Sequence, residues 1–281
     1  MNRRRFLAGI LLLVLVLCGI AAIAWSRIEP RNDRRWIPEQ ARLARTSFYQ
    51  DSVVIENVRD FDWSADGDPA PRWDTRTYDL RTIESVWYLL SPFGERFRGP
   101  AHAFLSFGFA DGSYVSISVE ARKEEGETYS LLKGMLKRFE LMYVIGSEPD
   151  FIGLRTLRFN DDVFLYPVRA TREAARTLFL NMLESANQLA SGPAFYGTIR
   201  NNCTTRILLH ANTVAPDPIP WSIRILLPGY SDALALETGL LDTDLSLEEA
   251  RAHHRINERA RALAGEPDFS NLIRAPTQPR R

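Results

Sequence analysis

Three patterns of apolar and polar positions succeed one another along the chain. From Phe6 to Trp25 there are 20 residues without a charge. As a helix this run spans ~30 Å, the thickness of a bilayer's hydrocarbon layer. From Val53 onwards the apolar positions fall into short stretches separated by Ser-Pro, Gly-Pro, Asp-Gly and Glu-Pro. That pattern predicts strands over 52–58, 75–80, 84–90, 101–109, 114–120, 139–145, 152–157 and 163–168. Beyond Thr171 the period lengthens: Ala175, Leu178, Phe179, Met182, Leu183 and Ala186 share one helical face. Thr171 is the expected N-cap and Gly192-Pro193 the stop. A second helix is expected near Cys203. A third starts at Ser246, where Glu249 completes a capping box, and runs to Gly265.

These elements define an α+β fold, an antiparallel sheet followed by packed helices, behind an N-terminal transmembrane helix. Residues 1–25 are the anchor or signal segment. Residues 26–50 read as a linker, since Arg27 to Arg45 holds six arginines and two prolines. Residues 51–265 form the domain, and 266–281 a loose polar tail.

Charge and cysteine usage narrow the function. The chain has 35 Lys+Arg and 35 Asp+Glu, so no net field draws it to nucleic acid, and no basic stripe is visible. Only Lys123, Lys133 and Lys137 are lysines. Codon bias accounts for that, and so does a need for arginine against anionic headgroups. Arg3, Arg4 and Arg5 before the apolar run place the N-terminus in the cytoplasm and everything after Trp25 outside it. The run is longer than a usual signal-peptide core, which favours a retained anchor. Ala22-Ile23-Ala24 is the cleavage site if it is not retained. Leu17 is too large for the position before a lipidated Cys18. With Cys18 in the apolar run, Cys203 is the sole cysteine of the exported part and has no disulfide partner there.

Cys203 follows Asn201-Asn202 and opens an apolar helical run. Asn202 is a natural N-cap, so Cys203 sits in the first turn. There the macrodipole and free N–H groups lower a thiol's pKa and can stabilise an oxyanion. Asn202 and Thr204 are the oxyanion or positioning candidates. A thiolate nucleophile needs a base. His210 shares the helix but lies ~10 Å along it. His253 and His254 fall in an Arg- and Glu-rich helix that reads as a solvated face. His102 opens a strand, and the pleat gives it a partner. Ala103, Leu105, Phe107 and Phe109 must face the same core as Val115, Ile117 and Val119, so paired residue numbers sum to an even value. A loop of Ala110-Asp111-Gly112, with Gly112 left-handed, sets that sum at 222. His102 then stands opposite Glu120, which would orient it, on a polar face with Ser106, Ser116 and Ser118. The plainer alternative is a solvent-facing polar strand pair. Asp150, Asp161 and Asp162 are placed in turns and make a poor metal site. The chain has no Gly-rich phosphate loop and no HExxH, so no metal or other cofactor is expected.

Several stretches carry a family resemblance: HAFLSFGFADGSYVSISVEAR, YSLLKGMLKRFELMYVIGSEPDFIGLR and FYGTIRNNCTT, with LPGYSDALALETGLL and INERA further on. Together they resemble the periplasmic N-terminal domain of Lnb-type lipoprotein N-acyltransferases, over roughly residues 85 to 262. The resemblance implies a permuted papain-like thiol fold, with the histidine ahead of the cysteine. It implies that Cys203 accepts an acyl group and that His102 is its base; Glu120 as orienter comes from the strand pairing. It also implies membrane lipid as a partner, lipoprotein as an acceptor, and residence at the bacterial inner membrane with the domain in the periplasm. The full transferases carry a C-terminal membrane-embedded portion, whereas this chain ends in a polar tail. A cysteine peptidase or amidase of the cell envelope, using the same triad, and a non-catalytic envelope binding module remain the alternatives. The apolar, Trp-containing segment Ile219–Tyr230 is either a core element or one that dips into the membrane interface.

Overall fold

The computed structural model describes residues 3–64, 67, 69–94 and 98–275. Helix α1 (Arg3–Ser26) takes up the apolar run. Its stretch from Gly9 to Ser26 has a mean hydropathy of 2.6 and is not buried against the rest of the protein. Length and composition suit a membrane crossing, and a signal sequence shares both.

Eight strands follow: β1 (Arg45–Phe48), β2 (Ser52–Arg59), β3 (Trp73–Asp79), β4 (Ile83–Pro92), β5 (Ala101–Phe109), β6 (Tyr114–Arg122), β7 (Glu140–Gly146) and β8 (Phe164–Pro167). They form one sheet in the order β1-β2-β7-β6-β5-β4-β8, with β3 also paired to β2. All pairs are antiparallel except β2 with β7, which meet in parallel at Arg59 and Gly146. Helix α2 (Leu131–Met135) precedes β7, and α3 (Glu148–Gly153) follows it. After β8 come α4 (Arg172–Ser191), α5 (Cys203–Ala211), α6 (Ile223–Leu226), α7 (Ser231–Glu237), α8 (Leu247–His254), α9 (Asn257–Ala262) and α10 (Phe269–Leu272).

The sheet is covered on both sides. Odd-numbered residues of β5 and β6, among them Leu105, Phe107 and Ile117, pack with Leu178, Phe179 and Met182 of α4 and with Ile207 of α5. The opposite face sets Phe104 of β5 and Met142 and Val144 of β7 against Phe151 and Ile152 of α3, Ile256, Ala260 of α9, and Phe269 of α10. The polar face of the β5–β6 hairpin is therefore interior, and the alternative of a solvent-facing strand pair does not hold: Ser106, Ser116 and Ser118 are fully buried.

Four further expectations change. Residues 152–157 are not a strand. The Ser147 hydroxyl accepts from the Asp150 N–H, Pro149 occupies the first turn, and α3 runs on into a π-helical turn, Leu154–Arg158. Residues 26–50 are not a free linker, because they carry β1, and Trp36 and Gln40 are buried. Arg122 holds this segment by donating 3.0 Å bonds to the carbonyls of Gln40 and Ala41 while its guanidinium lies 4.1 Å from the Trp36 ring centre. The stretch expected to be loose from 266 is packed as far as 275: Phe269 and Ile273 are buried, and Arg274 forks the buried Glu148. The rest of that tail lies outside the described residues. The helix beginning at Ser246 has its capping box, but it stops at His254, and α9 resumes at Asn257.

Candidate active site

The site is built where β5 begins and α5 begins. Asn202 accepts from the Thr205 N–H at 2.8 Å, and the Thr205 hydroxyl accepts from the Asn202 N–H at 2.9 Å, a closed capping box. The Asn202 amide also donates to the Thr198 carbonyl at 2.6 Å, which ties the cap to the preceding loop. Cys203 is thereby fixed as the first helical residue, ahead of the first α5 backbone bond, Arg206 N–H to Asn202 carbonyl at 3.1 Å. Its own N–H and that of Thr204 precede that bond and point out of the helix start. Asn202 thus positions the helix, and Thr204 sets its hydroxyl 3.6 Å from the Cys203 sulfur.

The hairpin that carries the histidine has the register read from the sequence. Phe104 pairs Ser118, Leu105 pairs Ile117 and Ser106 pairs Ser116, each summing to 222. Gly112 closes the loop at φ +81°, where a residue with a Cβ is strained. Continued two residues outward, that register brings His102 to Glu120. His102 Nε2 lies 3.2 Å from Glu120 Oε1 and 2.7 Å from Ser118 Oγ, and Ser118 Oγ donates to Glu120 Oε1 at 2.8 Å. The ring also stacks on Phe104, centres 5.6 Å apart. His102 and Cys203 line the same cavity, and each shifts the ionisation of the other. Since Nε2 is engaged by Ser118 and Glu120, the ring atom left for sulfur is Nδ1.

The electrostatics follow from these contacts. Burial pushes the Cys203 thiol up, but the hydrogen bond and charge of His102, the Ala103 N–H and the Thr204 hydroxyl outweigh it, and the pKa is lowered. Burial pushes His102 down, yet the Glu120 carboxylate reverses this against an opposing Arg155, and the net shift is upward. Glu120 is held well below the ordinary carboxylate range: burial opposes ionisation, and the charge of and hydrogen bond to His102, with Arg155 and Arg59, overcome it. A thiolate beside an imidazolium, oriented by a carboxylate, is the ionic state all three shifts favour. Such a chain can deliver a sulfur nucleophile and return a proton to a leaving group.

Two cavities meet at Cys203. One, of about 240 Å³, includes the ionisable side chains of His102, Glu120, Arg59, Arg155 and Lys123 in its walls. The other, about 50 Å³, is mostly apolar and is walled by Leu131, Leu226, Leu227 and Pro228. Phe93, Tyr129 and Tyr196 border both, the two tyrosine hydroxyls 3.3 Å apart.

Arg155 is the feature sequence reasoning missed. The π-helical turn after α3 directs it inward, where its guanidinium lies 5.5 Å from the ring centres of both Phe93 and Phe159 and 3.7 Å from Asp161. Mid-helix π turns frequently mark functional positions, but nothing in the residue pattern announces one. Asp150, placed in a turn by the sequence, is instead buried in α3. It takes two bonds from Arg59, at 2.8 and 2.9 Å, and one each from the Phe61 N–H and the Trp63 indole. His210 is apart from this chemistry: its Nε2 bonds the Tyr143 hydroxyl at 2.6 Å, and burial holds its pKa down at about 4. His253 is exposed as expected, but His254 is half-buried against Tyr166, ring centres 5.3 Å apart. Among the described residues no cluster of His, Cys, Asp and Glu is suited to a metal ion.

Residues 70–229, more than half of the chain, match the family model of the Lnb N-terminal periplasmic domain. No curated protein and no solved structure matches the chain.

Proposed function

Because the chain belongs to the Lnb N-terminal periplasmic domain family, we propose that it is a periplasm-facing, membrane-anchored thiol acyltransferase that forms a thioester on Cys203. The observation that carries this reading is that Cys203, at the start of a capped helix, shares one cavity wall with His102 and Glu120, which stand 3.2 Å apart. The histidine on a strand ahead of the cysteine at a helix start also supports a permuted papain-like arrangement.

The Cys203 thiolate attacks the carbonyl carbon of a lipid ester. The N–H groups at the start of α5 and the Thr204 hydroxyl are the donors available to the oxygen on which charge develops. As the tetrahedral centre collapses the C–O bond breaks, the alcohol leaves with the proton held on His102, and the acyl group remains on sulfur. An amine or hydroxyl acceptor then gives its proton to His102 and attacks the thioester. The product departs and the thiolate is restored. Glu120 holds the ring in place and favours its charged form throughout. Family membership favours an N-terminal amine of a lipoprotein as acceptor.

A peptidase or amidase would use the same three groups. The apolar cavity beside Cys203 favours an acyl chain over a peptide. The test is to incubate the full chain with phospholipid vesicles and analyse Cys203 by mass spectrometry after denaturation. A hydroxylamine-labile acyl adduct, absent from Cys203→Ser, is expected. Cleavage of envelope peptides without an adduct would transfer the assignment to a hydrolase, and an inert Cys203 would leave a binding module.

A further inference from the structure

Helix α2 exposes apolar side chains where a water-facing helix would hide them. Leu131, Leu132 and Met135 are exposed, as is Leu136 just after them. Lys133 and Lys137 stand among them, two of the chain's three lysines. Leucines and lysines interleaved in this way suit the boundary between headgroups and acyl chains, where the stem of a lysine lies in the apolar layer and its ammonium reaches water.

Just beyond α2 the chain touches the end of α1. Lys137 Nζ donates to the carbonyl of Trp25 at 3.2 Å and lies over the Trp25 ring, 5.6 Å from its centre. Trp25 is in the last turn of the one candidate span among the described residues. A span from Gly9 to Ser26 covers ~27 Å at 1.5 Å per residue, so its end is at the level of the headgroups. Tryptophan and lysine are the residues that anchor helices there. On its other side Lys137 lies 5.4 Å from the centre of the Phe195 ring, next to Tyr196 in the cavity wall.

The apolar cavity joins this face to the thiol. Leu131 of α2 forms one wall, Leu226 and Leu227 at the end of α6 form the other, and Cys203 lines the cavity between them. Trp221 and Ile223, at the start of the α6 side, are exposed as well.

We propose that α2 and the 221–227 segment lie in the outer headgroup layer of the membrane that α1 spans, so that an acyl chain reaches Cys203 sideways from the bilayer through the cavity between them. The proposal rests on the acyl-transfer reading above, and it commits to the bilayer as the occupant of this face. Charge agrees, since Lys133 and Lys137 meet anionic headgroups.

The first experiment does not involve activity. The full chain, carrying Cys18→Ser and Cys203→Ala, is given a single fluorescent label through Leu132→Cys, Ile223→Cys or, as control, Leu272→Cys on α10 across the sheet. Each protein is reconstituted in vesicles of phosphatidylethanolamine and phosphatidylglycerol. Labels at 132 and 223 should be quenched by nitroxides placed high on the acyl chains and shielded from iodide, with the reverse at 272. Iodide quenching at 132 and 223 as strong as at 272 overturns the proposal. So does shielding that appears without lipid and rises with protein concentration, which would identify a second copy of the chain as the occupant.

The second experiment uses Leu132→Glu with Met135→Glu in the otherwise unaltered chain. Acylation of Cys203 from vesicle lipid should fall at least about tenfold, while alkylation of Cys203 by iodoacetamide stays within about twofold. Acylation that withstands both glutamates overturns the lateral route. If the unaltered chain forms no acyl adduct at all, the functional reading fails, and the quenching data still decide where α2 lies.

Discussion

Ser118 Oγ bridges His102 Nε2 and Glu120 Oε1, at 2.7 and 2.8 Å, beneath a direct His102–Glu120 approach of 3.2 Å. The histidine is therefore held by two groups from the facing strand, one charged and one neutral. They differ in what they contribute. Glu120 supplies the charge that raises the His102 pKa, and Ser118 supplies only an additional hydrogen bond to each. Glu120→Gln should shift the pH dependence of Cys203 alkylation upward and slow turnover by roughly 10- to 100-fold, since one charged hydrogen bond is worth ~1.5–3 kcal/mol. Ser118→Ala should keep the pH profile and slow turnover by less. Equal shifts in the two variants would show that the Glu120 charge is not what sets the base.

His210 gives the contrasting case of a histidine that stabilises by staying neutral. Burial, and then the charge of Arg206, bring its folded-state pKa down to about 4, below the ordinary value near 6.5. The unfolded chain thus binds the proton more readily between those values, and stability is lost as pH falls through that window. His210→Gln should flatten the urea midpoint between pH 4 and 6.5 relative to the parent chain. His254, also lowered to about 4, keeps part of the slope in both proteins. Cys203 reactivity should not change by more than about twofold. A variant that loses thiol reactivity while remaining folded would return His210 to the list of bases.

How legible this site was depended on whether its geometry was local. The His102–Glu120 pairing could be derived because a strand has a period of two and Ala110-Asp111-Gly112 fixes the register through one left-handed glycine. The start of α5 was equally local, since Asn202 announces it three residues ahead of the Thr205 N–H it caps. The surroundings of these residues depend on distant parts of the chain. Nothing near Ser106 or Ser116 tells that α3, α9 and α10 close over their face, because those helices come from residues 148–153 and 257–272. Residues 152–157 are apolar enough for a strand, and the Ser147 cap with Pro149 was the contrary signal. Arg155 lies buried in a π turn beside the site, a spacing that a reading at a 3.6-residue period cannot register.

The buried pair Arg59–Asp150 secures the base of that turn. Asp150 accepts two bonds from Arg59, one from the Phe61 N–H and one from the Trp63 indole, and both charged partners are almost wholly buried. Asp150→Ala leaves a buried guanidinium without its carboxylate, and such a loss costs ~3–5 kcal/mol. Denaturant unfolding should show that deficit. Arg59→Met with Asp150→Leu should recover much of it, because replacing both members removes the unpaired charge. No recovery in the double variant would mean that Asp150 acts mainly through the Phe61 and Trp63 donors.

Gly229 shows how a residue remote in sequence sets the approach to His102. Its N–H donates to the Gly99 carbonyl at 3.1 Å, and the Arg98 side chain returns a bond to its carbonyl at 3.2 Å. A Cβ at position 229 would overlap the Arg98 carbonyl, a backbone atom that no rotamer change can withdraw. Residues 98–100 lead directly into β5, where His102 is the second residue. Gly229→Ala must therefore push the 98–100 segment away and tilt the start of the strand that carries the histidine. The expected result is a lower melting temperature together with an alkylation midpoint for Cys203 that moves up towards or beyond the free-thiol value near ~8.5, because the thiol stays buried while its histidine is displaced. Gly239→Ala serves as the control: at φ +70° it is also strained, but no atom lies within 4 Å of the added carbon, so it should cost stability without touching the thiol. If Gly229→Ala lowers stability and leaves the midpoint of Cys203 where it was, the contact with Arg98 does not govern where His102 sits.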